Sequence, residues 1–148
     1  MKEAILKGDE IFQLIPQRPP IVMLDKFYGI EDELSYSGLT VLEGNIFYQS
    51  GYLAETGVIE HIAQSAAARV GFIYTRKGEL VPLGLIGSID KLKIYALPKL
   101  GDELYTEIKI IQEVGDITLI AAKTTVGETL IAECRMKIFL KTEETGNK

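Results

Sequence analysis

The stretch ETGVIEHIAQSAAARVGFIY, Glu55–Tyr74, decides how the rest of the chain is organised. It reads as one long helix. Thr56 is placed to act as its N-cap. Ile59, Ala63, Ala66, Val70 and Ile73 recur at helical spacing and form one apolar stripe. Ala67, Ala68, Gly71 and Phe72 fill the other faces, so the helix is apolar nearly all round. Such a helix is expected inside a fold and not on its surface. The alanines at 66–68 would let a sheet come close to the helix axis. Between Thr56 and Ile73 the ionisable residues are Glu60, His61 and Arg69. A buried carboxylate is costly unless it is paired, hydrogen-bonded or protonated. Glu60, in an apolar first turn, is therefore the residue that needs an explanation.

On the N-terminal side, Asp9–Ile15 reads as a short helix ended by Pro16. Gln17–Pro20 must be extended, because residues before proline avoid the helical region. Ile21–Ile30 reads as a strand, and Leu34–Leu42 and Ile46–Gln49 follow as strands separated by Glu43-Gly44-Asn45. Ser50–Ala54 is a loop leading into the helix. Beyond the helix, Arg76–Glu79 is a polar turn, and Leu83–Tyr95 is a long strand in which Gly84 and Gly87 mark a bend or bulge. After a turn at Pro98–Asp102, three strands are expected over Glu103–Ile111, Ile117–Val126 and Thr129–Lys141. In the first and last of these, apolar and charged residues alternate with period two, the mark of a half-buried strand. The polar end Thr142–Lys148 reads as a disordered tail, which leaves residues 1–141 as a single domain. Runs of strand beside one helix indicate the α+β class. One sheet wrapped round one helix leaves its second face and its edges uncovered, so a homodimer is expected.

The chain as a whole narrows the functional classes. Its 148 residues suffice for one sizeable core. A net charge of −5 without a long basic stripe argues against a nucleic-acid partner. Cys134, the one cysteine, cannot form an internal disulfide and fits a reducing, cytoplasmic setting, packed as a small hydrophobe. With one histidine and one cysteine, no His/Cys zinc cluster is expected. Met1–Gly8 has no apolar leader segment, and no run is long enough to cross a membrane as a helix. Neither a phosphate-cradling glycine loop nor a G-x-S-x-G elbow is present.

Three segments carry a resemblance. Ile15–Phe27 (IPQRPPIVMLDKF) is similar to an L-P-H-R-x-P-x-x-x-x-D opening, Ile59–Gln64 (IEHIAQ) to a helix motif I-E-x-x-A-Q, and Gly87–Leu104 to a strand followed by P-x-x-G-D-x-L. In this order they resemble the beta-hydroxyacyl-acyl-carrier-protein dehydratases and their relatives in polyene-pigment clusters. That family has the hotdog fold, a long central helix wrapped by an antiparallel sheet. The resemblance implies an acyl thioester on acyl carrier protein or coenzyme A as substrate. It implies a phosphopantetheine arm in place of any cofactor, and Glu60 as the catalytic helix acid with Gln64 beside it. The family's histidine motif G-H-F-P has no counterpart, since that place reads Gly51-Tyr52-Leu53.

Dehydrating a 3-hydroxyacyl thioester needs a base at the carbon beside the carbonyl and an acid for the leaving hydroxyl. A carboxyl in the first turn of a buried helix suits either role, because burial favours its neutral form and the helix N-terminus its charged form. Gln64 lies one turn on, where it could orient Glu60 or touch substrate. Gln17 and Tyr52 are candidate substrate-binding residues; both hydrogen-bond but are poor bases near neutral pH. His61 points about 100° away from Glu60 round the helix and reads as a packed histidine more readily than as its catalytic partner. Lys91, Lys93 and Lys99 form a modest basic group that could meet an acidic carrier protein but reads more readily as a solvated strand face. Three readings follow. The first is a dehydratase-type lyase in fatty-acid or polyene biosynthesis. The second is a thioesterase, which can work with one carboxylate activating water. The third is a non-catalytic acyl-carrier subunit paired with an active dehydratase.

Overall fold

A computed structural model describes residues 3–141. The strands are β1 (Leu6–Lys7), β2 (Lys26–Glu31), β3 (Leu34–Thr40), β4 (Tyr48–Gln49), β5 (Tyr52–Leu53), β6 (Leu83–Ile94), β7 (Glu103–Val114), β8 (Ile117–Val126) and β9 (Thr129–Lys141), and the helix α1 spans Glu55–Arg76. Seven strands make one antiparallel sheet in the order β1-β2-β3-β7-β8-β9-β6, and β4 with β5 forms a separate hairpin. The sheet curls round α1. This is the expected α+β hotdog architecture. The tail Thr142–Lys148 lies outside the described residues.

The core lies between α1 and the inner sheet face. Leu104, Ile108, Ile120, Ala122, Ala132, Met136 and Ile138 come from the period-two positions of β7, β8 and β9, and they meet Val58, Ile62 and Ala66 of the helix. A second cluster, built from Ile11, Leu14, Ile15, Leu24 and Phe27 around Ala68, closes the helix from the N-terminal side. Here the backbone comes very close. A Cβ on Gly71 would sit 1.8 Å from the Leu14 carbonyl oxygen. Only glycine admits the chain at that point.

Several local expectations are corrected. Thr56 does not cap α1: the N-cap is Ala54, extended at φ −67° and ψ 161°, with no side-chain cap bond. Of the stripe Ile59, Ala63, Ala66, Val70 and Ile73, only Ala66 is buried. The face turned into the core carries Val58, His61, Ile62, Ser65 and Ala68 instead. A helix apolar on every side gives periodicity little with which to choose a face. The strand expected over Ile21–Ile30 begins only at Lys26, because the backbone groups of Ile21 and Met23 bond to helix side chains and not to a neighbouring strand. Gly8–Gln13 is a 3-10 helix in place of the helix expected over Asp9–Ile15. The expected strand Ile46–Gln49 shrinks to Tyr48–Gln49, and the expected loop Ser50–Ala54 contains its hairpin partner Tyr52–Leu53. Ser50 and Gly51, both at positive φ, make the tight turn.

Of the two glycines expected to bend β6, Gly87 lies at a bulge, whereas Gly84 pairs in regular register with Leu140. Register shifts occur between Ile86 and Ser88, and again between Asp90 and Lys93. The Phe139 ring lies across Gly87, where a Cβ would come within 2.1 Å of it. β6 forms one end of the sheet, and Leu83, Leu85, Ile86 and Leu92 stay exposed there.

Replacing Gly71 with alanine should force the Leu14 segment off the helix. The expected cost is about 1–3 kcal/mol, read as a lower urea midpoint at unchanged m-value. Gly44→Ala, where a Cβ would meet nothing within 4 Å, is the control and should leave the midpoint in place.

Candidate active site

Glu60 lies half-buried on an apolar cavity between α1 and the end of β6. Ala63, Ala66 and Val70 form the helix wall, Leu83 and Ile86 come from β6, and Ile138 comes from β9. The small helix residues leave the room. Among the residues lining this cavity, Glu60 is the one ionisable side chain.

The Glu60 carboxylate is held in place from one side. Gln64 donates from Nε2 to Glu60 Oε2 at 2.8 Å and to the Ile21 carbonyl at 2.9 Å, while its Oε1 accepts from the Met23 amide at 2.6 Å. Its hydrogens are thus divided between the Ile21 carbonyl and Glu60. The amide cannot flip, because the backbone N–H and C=O fix which end faces each. Gln64 is wholly buried and is not part of the cavity lining, so it orients Glu60. Gln17 does line the cavity, and its Oε1 is buried without a hydrogen-bond partner among the described residues. Arg18 holds that segment in shape by donating to the carbonyls of Phe12, Ile15 and Gln17. Tyr52 lies elsewhere. It is 45% exposed on β5 and bridges to Lys99, and it does not line the Glu60 cavity of its own chain.

His61 belongs to the core. It is fully buried, with Nδ1 2.8 Å from the Met23 carbonyl and Nε2 2.7 Å from the Thr106 hydroxyl. Thr106 in turn lies 2.6 Å from the Thr124 hydroxyl. A carbonyl only accepts, so Nδ1 must carry the proton. Nε2 then accepts from Thr106, and Thr106 accepts from Thr124. Burial pushes the His61 pKa down to about 4, so the ring is neutral. The two threonines were invisible as a site in the sequence, since each occupies an ordinary inward strand position. Of the expected basic group, Lys91 and Lys93 meet Lys123 and Arg135 on the outer sheet face. Lys99 sits apart in the turn beside Tyr52. Among the described residues, no cluster of three or more His, Cys, Asp or Glu could hold a metal ion, and no helix is long and apolar enough to cross a membrane.

One long helix wrapped by an antiparallel sheet is the hotdog architecture; Glu60, expected in the first turn, lies in the second turn of α1, because the helix already begins at Glu55. The profile of the ApeP-like family, described as ApeP dehydratase, matches residues 9–146, and the chain belongs to that family. It is similar to the 3-hydroxyacyl-[acyl-carrier-protein] dehydratase FabZ of Staphylococcus epidermidis, at 31% identity over 94% of this chain and 98% of the relative. The FabZ protein of Macrococcus caseolyticus is 26% identical over 93% and 97%. Among solved structures, the dehydratase heterocomplex ApeI:P from Xenorhabdus doucetiae superposes with a TM-score of 0.82 at 16% identity, covering 90% of this chain and 92% of that one. A hypothetical thioesterase from Streptococcus pneumoniae, solved with coenzyme A, matches at 0.64 and 11% identity, covering 80% and 86%.

The neutral, buried His61 links stability to pH. In the unfolded chain it takes up a proton near pH 6.5; in the fold it resists until about 4. Its contribution is therefore fully present above pH 6.5 and is lost as pH falls towards 4. The loss should amount to roughly 3 kcal/mol. Urea unfolding measured between pH 7 and 4 should show this slope, and His61→Gln should be less stable at pH 7 but lack the slope that His61 adds.

Proposed function

We propose that this protein acts on acyl thioesters carried by a phosphopantetheine arm, as a subunit of a 3-hydroxyacyl-thioester dehydratase. The observation that carries this reading is the Glu60 carboxylate, the one ionisable group on an apolar cavity, with one oxygen fixed by Gln64. Elimination requires that a proton leave the carbon beside the thioester carbonyl and that the 3-hydroxyl depart as water. Glu60 serves as the acid that protonates the departing hydroxyl, and its fixed oxygen leaves the other available to the cavity. Gln17 is the polar group beside it and contributes a hydrogen bond to the bound thioester. Tyr52, exposed on β5, is a substrate contact only where a second chain brings it to a cavity. The second acid–base group comes from outside this chain, because the one histidine is locked in the core. No cofactor takes part beyond the carrier's arm.

The free edge of β6 supports a paired assembly. It exposes Leu83, Leu85, Ile86 and Leu92, of which Leu83 and Ile86 line the Glu60 cavity, and a second sheet edge would complete both the ladder and the cavity wall. We take a homodimer as the form of the isolated chain, and a histidine-bearing hotdog chain as the partner that gives full turnover. The relation to a structure described as a heterocomplex is in keeping with this. A thioesterase is the second reading, favoured by the single carboxylate, which suffices to activate a hydrolytic water.

Two measurements test the reading. Purified alone, the chain should bind 3-hydroxyacyl-pantetheine and dehydrate it slowly, with release of free thiol slower still. Glu60→Gln should lower dehydration by about 10²–10⁴-fold while the urea midpoint stays put. Thiol release outpacing dehydration would instead favour the thioesterase. Separately, sedimentation at micromolar concentration should give a dimer, and Ile86→Lys on the β6 edge should shift it towards monomer. A wild-type monomer would rule out the edge-paired assembly.

A further inference from the structure

Among the described residues, two further spaces share walls with the Glu60 cavity, and they differ in chemistry. One continues along α1 towards its C-terminus, past Ala66, Val70, Ile138 and Leu140. Arg69, Tyr74, Lys77, Glu113 and Thr118 line it, and Arg69 Nη1 is buried with no hydrogen-bond partner among the described residues. A hydrocarbon chain placed there would take more water from charged groups and give them nothing in return. The other space is a slot between residues 13–16 and 80–83. It has five wall residues in common with the Glu60 cavity, Leu14, Pro16, Val81, Pro82 and Leu83. Gln13 is the one polar residue that lines it.

The two walls of the slot are built differently. Leu14 is pressed against Gly71 of α1, and Arg18 donates to the Ile15 and Gln17 carbonyls, so that wall is fixed. The facing wall, residues 80–82, lies between α1 and β6 and belongs to neither. The outer end is open to solvent: Gln13, Pro16 and Leu80 are exposed, Leu80 at 78%. An apolar slot with a large apolar residue at its mouth is stabilised by hydrocarbon that displaces water from both.

Resting on the acyl-thioester reading, we propose that this slot receives the tail of the acyl chain, and that Val81, which lines both slot and cavity, is a specificity-determining residue. The thioester lies at Glu60 and the hydrocarbon runs out between the two walls. Because the outer end is open, the slot sets no upper limit on chain length. Carbons beyond the mouth lie in solvent, where they neither add to binding nor clash. The substrate class is therefore long, straight acyl chains.

The test is equilibrium binding of the full-length protein to saturated acyl-pantetheine thioesters, which have no 3-hydroxyl to lose, in a series of increasing chain length. Affinity should rise about fourfold for each added methylene while the chain fills cavity and slot, then level off without a fall. Val81→Phe, which narrows the junction, should bind the longest compound at least about tenfold more weakly than the wild type and leave the shortest unchanged. If Val81→Phe does not fold, Leu80→Asp, at a position already in solvent, should weaken the long compounds alone in its place. Ile73→Phe, which narrows the other space, should leave the whole series unchanged. A sharp fall in affinity beyond some length overturns the proposal and leaves the acyl-thioester reading standing. So does a long-chain loss in Ile73→Phe that the slot variants lack. Failure of every length to bind overturns both the proposal and the reading beneath it.

Discussion

The side-chain amide of Gln64 is the contact on which the site depends. Its three hydrogen bonds join the central helix to the Ile21–Met23 segment and to the Glu60 carboxylate. A buried amide left unsatisfied costs about 1–3 kcal/mol, so the fold holds the segment against the helix and the same bonds aim the carboxylate. His61, three positions back, fastens the same segment through the Met23 carbonyl. One stretch of backbone thus gives up its place in the sheet to serve two helix side chains. That is why β2 begins late and why Glu60 faces a cavity and not a strand.

The space at the site is a consequence of packing at other points. Gly71 lets the Leu14 carbonyl press against the helix, which draws the N-terminal segment tightly over one face. The alanines at 63, 66 and 67 then face a sheet that cannot follow them inward, because Ile138 and Leu140 of β9 already rest on the larger core residues. Small residues on a fixed frame leave a void where large ones would have filled it. The void beside Glu60 is apolar, so the two polar groups on its walls, Glu60 and Gln17, stand out chemically.

The outer parts of the sheet look towards assembly. β6 has a neighbour on one side only and shows a row of large apolar residues along twelve positions. Unpaired edges of that length are normally covered. It also contributes Leu83 and Ile86 to the cavity. In the proposed paired assembly, covering the edge would also enclose the site.

The architecture was legible in the sequence because long elements announce themselves by period. The alternation of β7 and β9 and the long apolar helix point to a sheet round a helix, and Gly87 marked one of the two bulges of β6, while the other, between Asp90 and Lys93, contains no glycine. Glu60 was legible as the wrong kind of residue in an apolar turn, and Gln64 as its neighbour one turn on. What the sequence could not supply was direction. The helix is apolar on all sides, so its spacing fitted two faces, and only the close approach at Gly71 and the bonds of His61 and Gln64 decide between them. Tyr52 and Gln17 looked alike as hydrogen-bonding residues suited to bind substrate, yet the β4–β5 hairpin turns one outward and the other, beside the Arg18 clamp, lines the cavity. The threonine pair behind His61 and the unpartnered nitrogen of Arg69 depend on neighbours brought together across strands and turns. Such pairings exist only once the chain has closed on itself, because hydrogen-bond satisfaction is a property of positions in space and not of spacing along the chain.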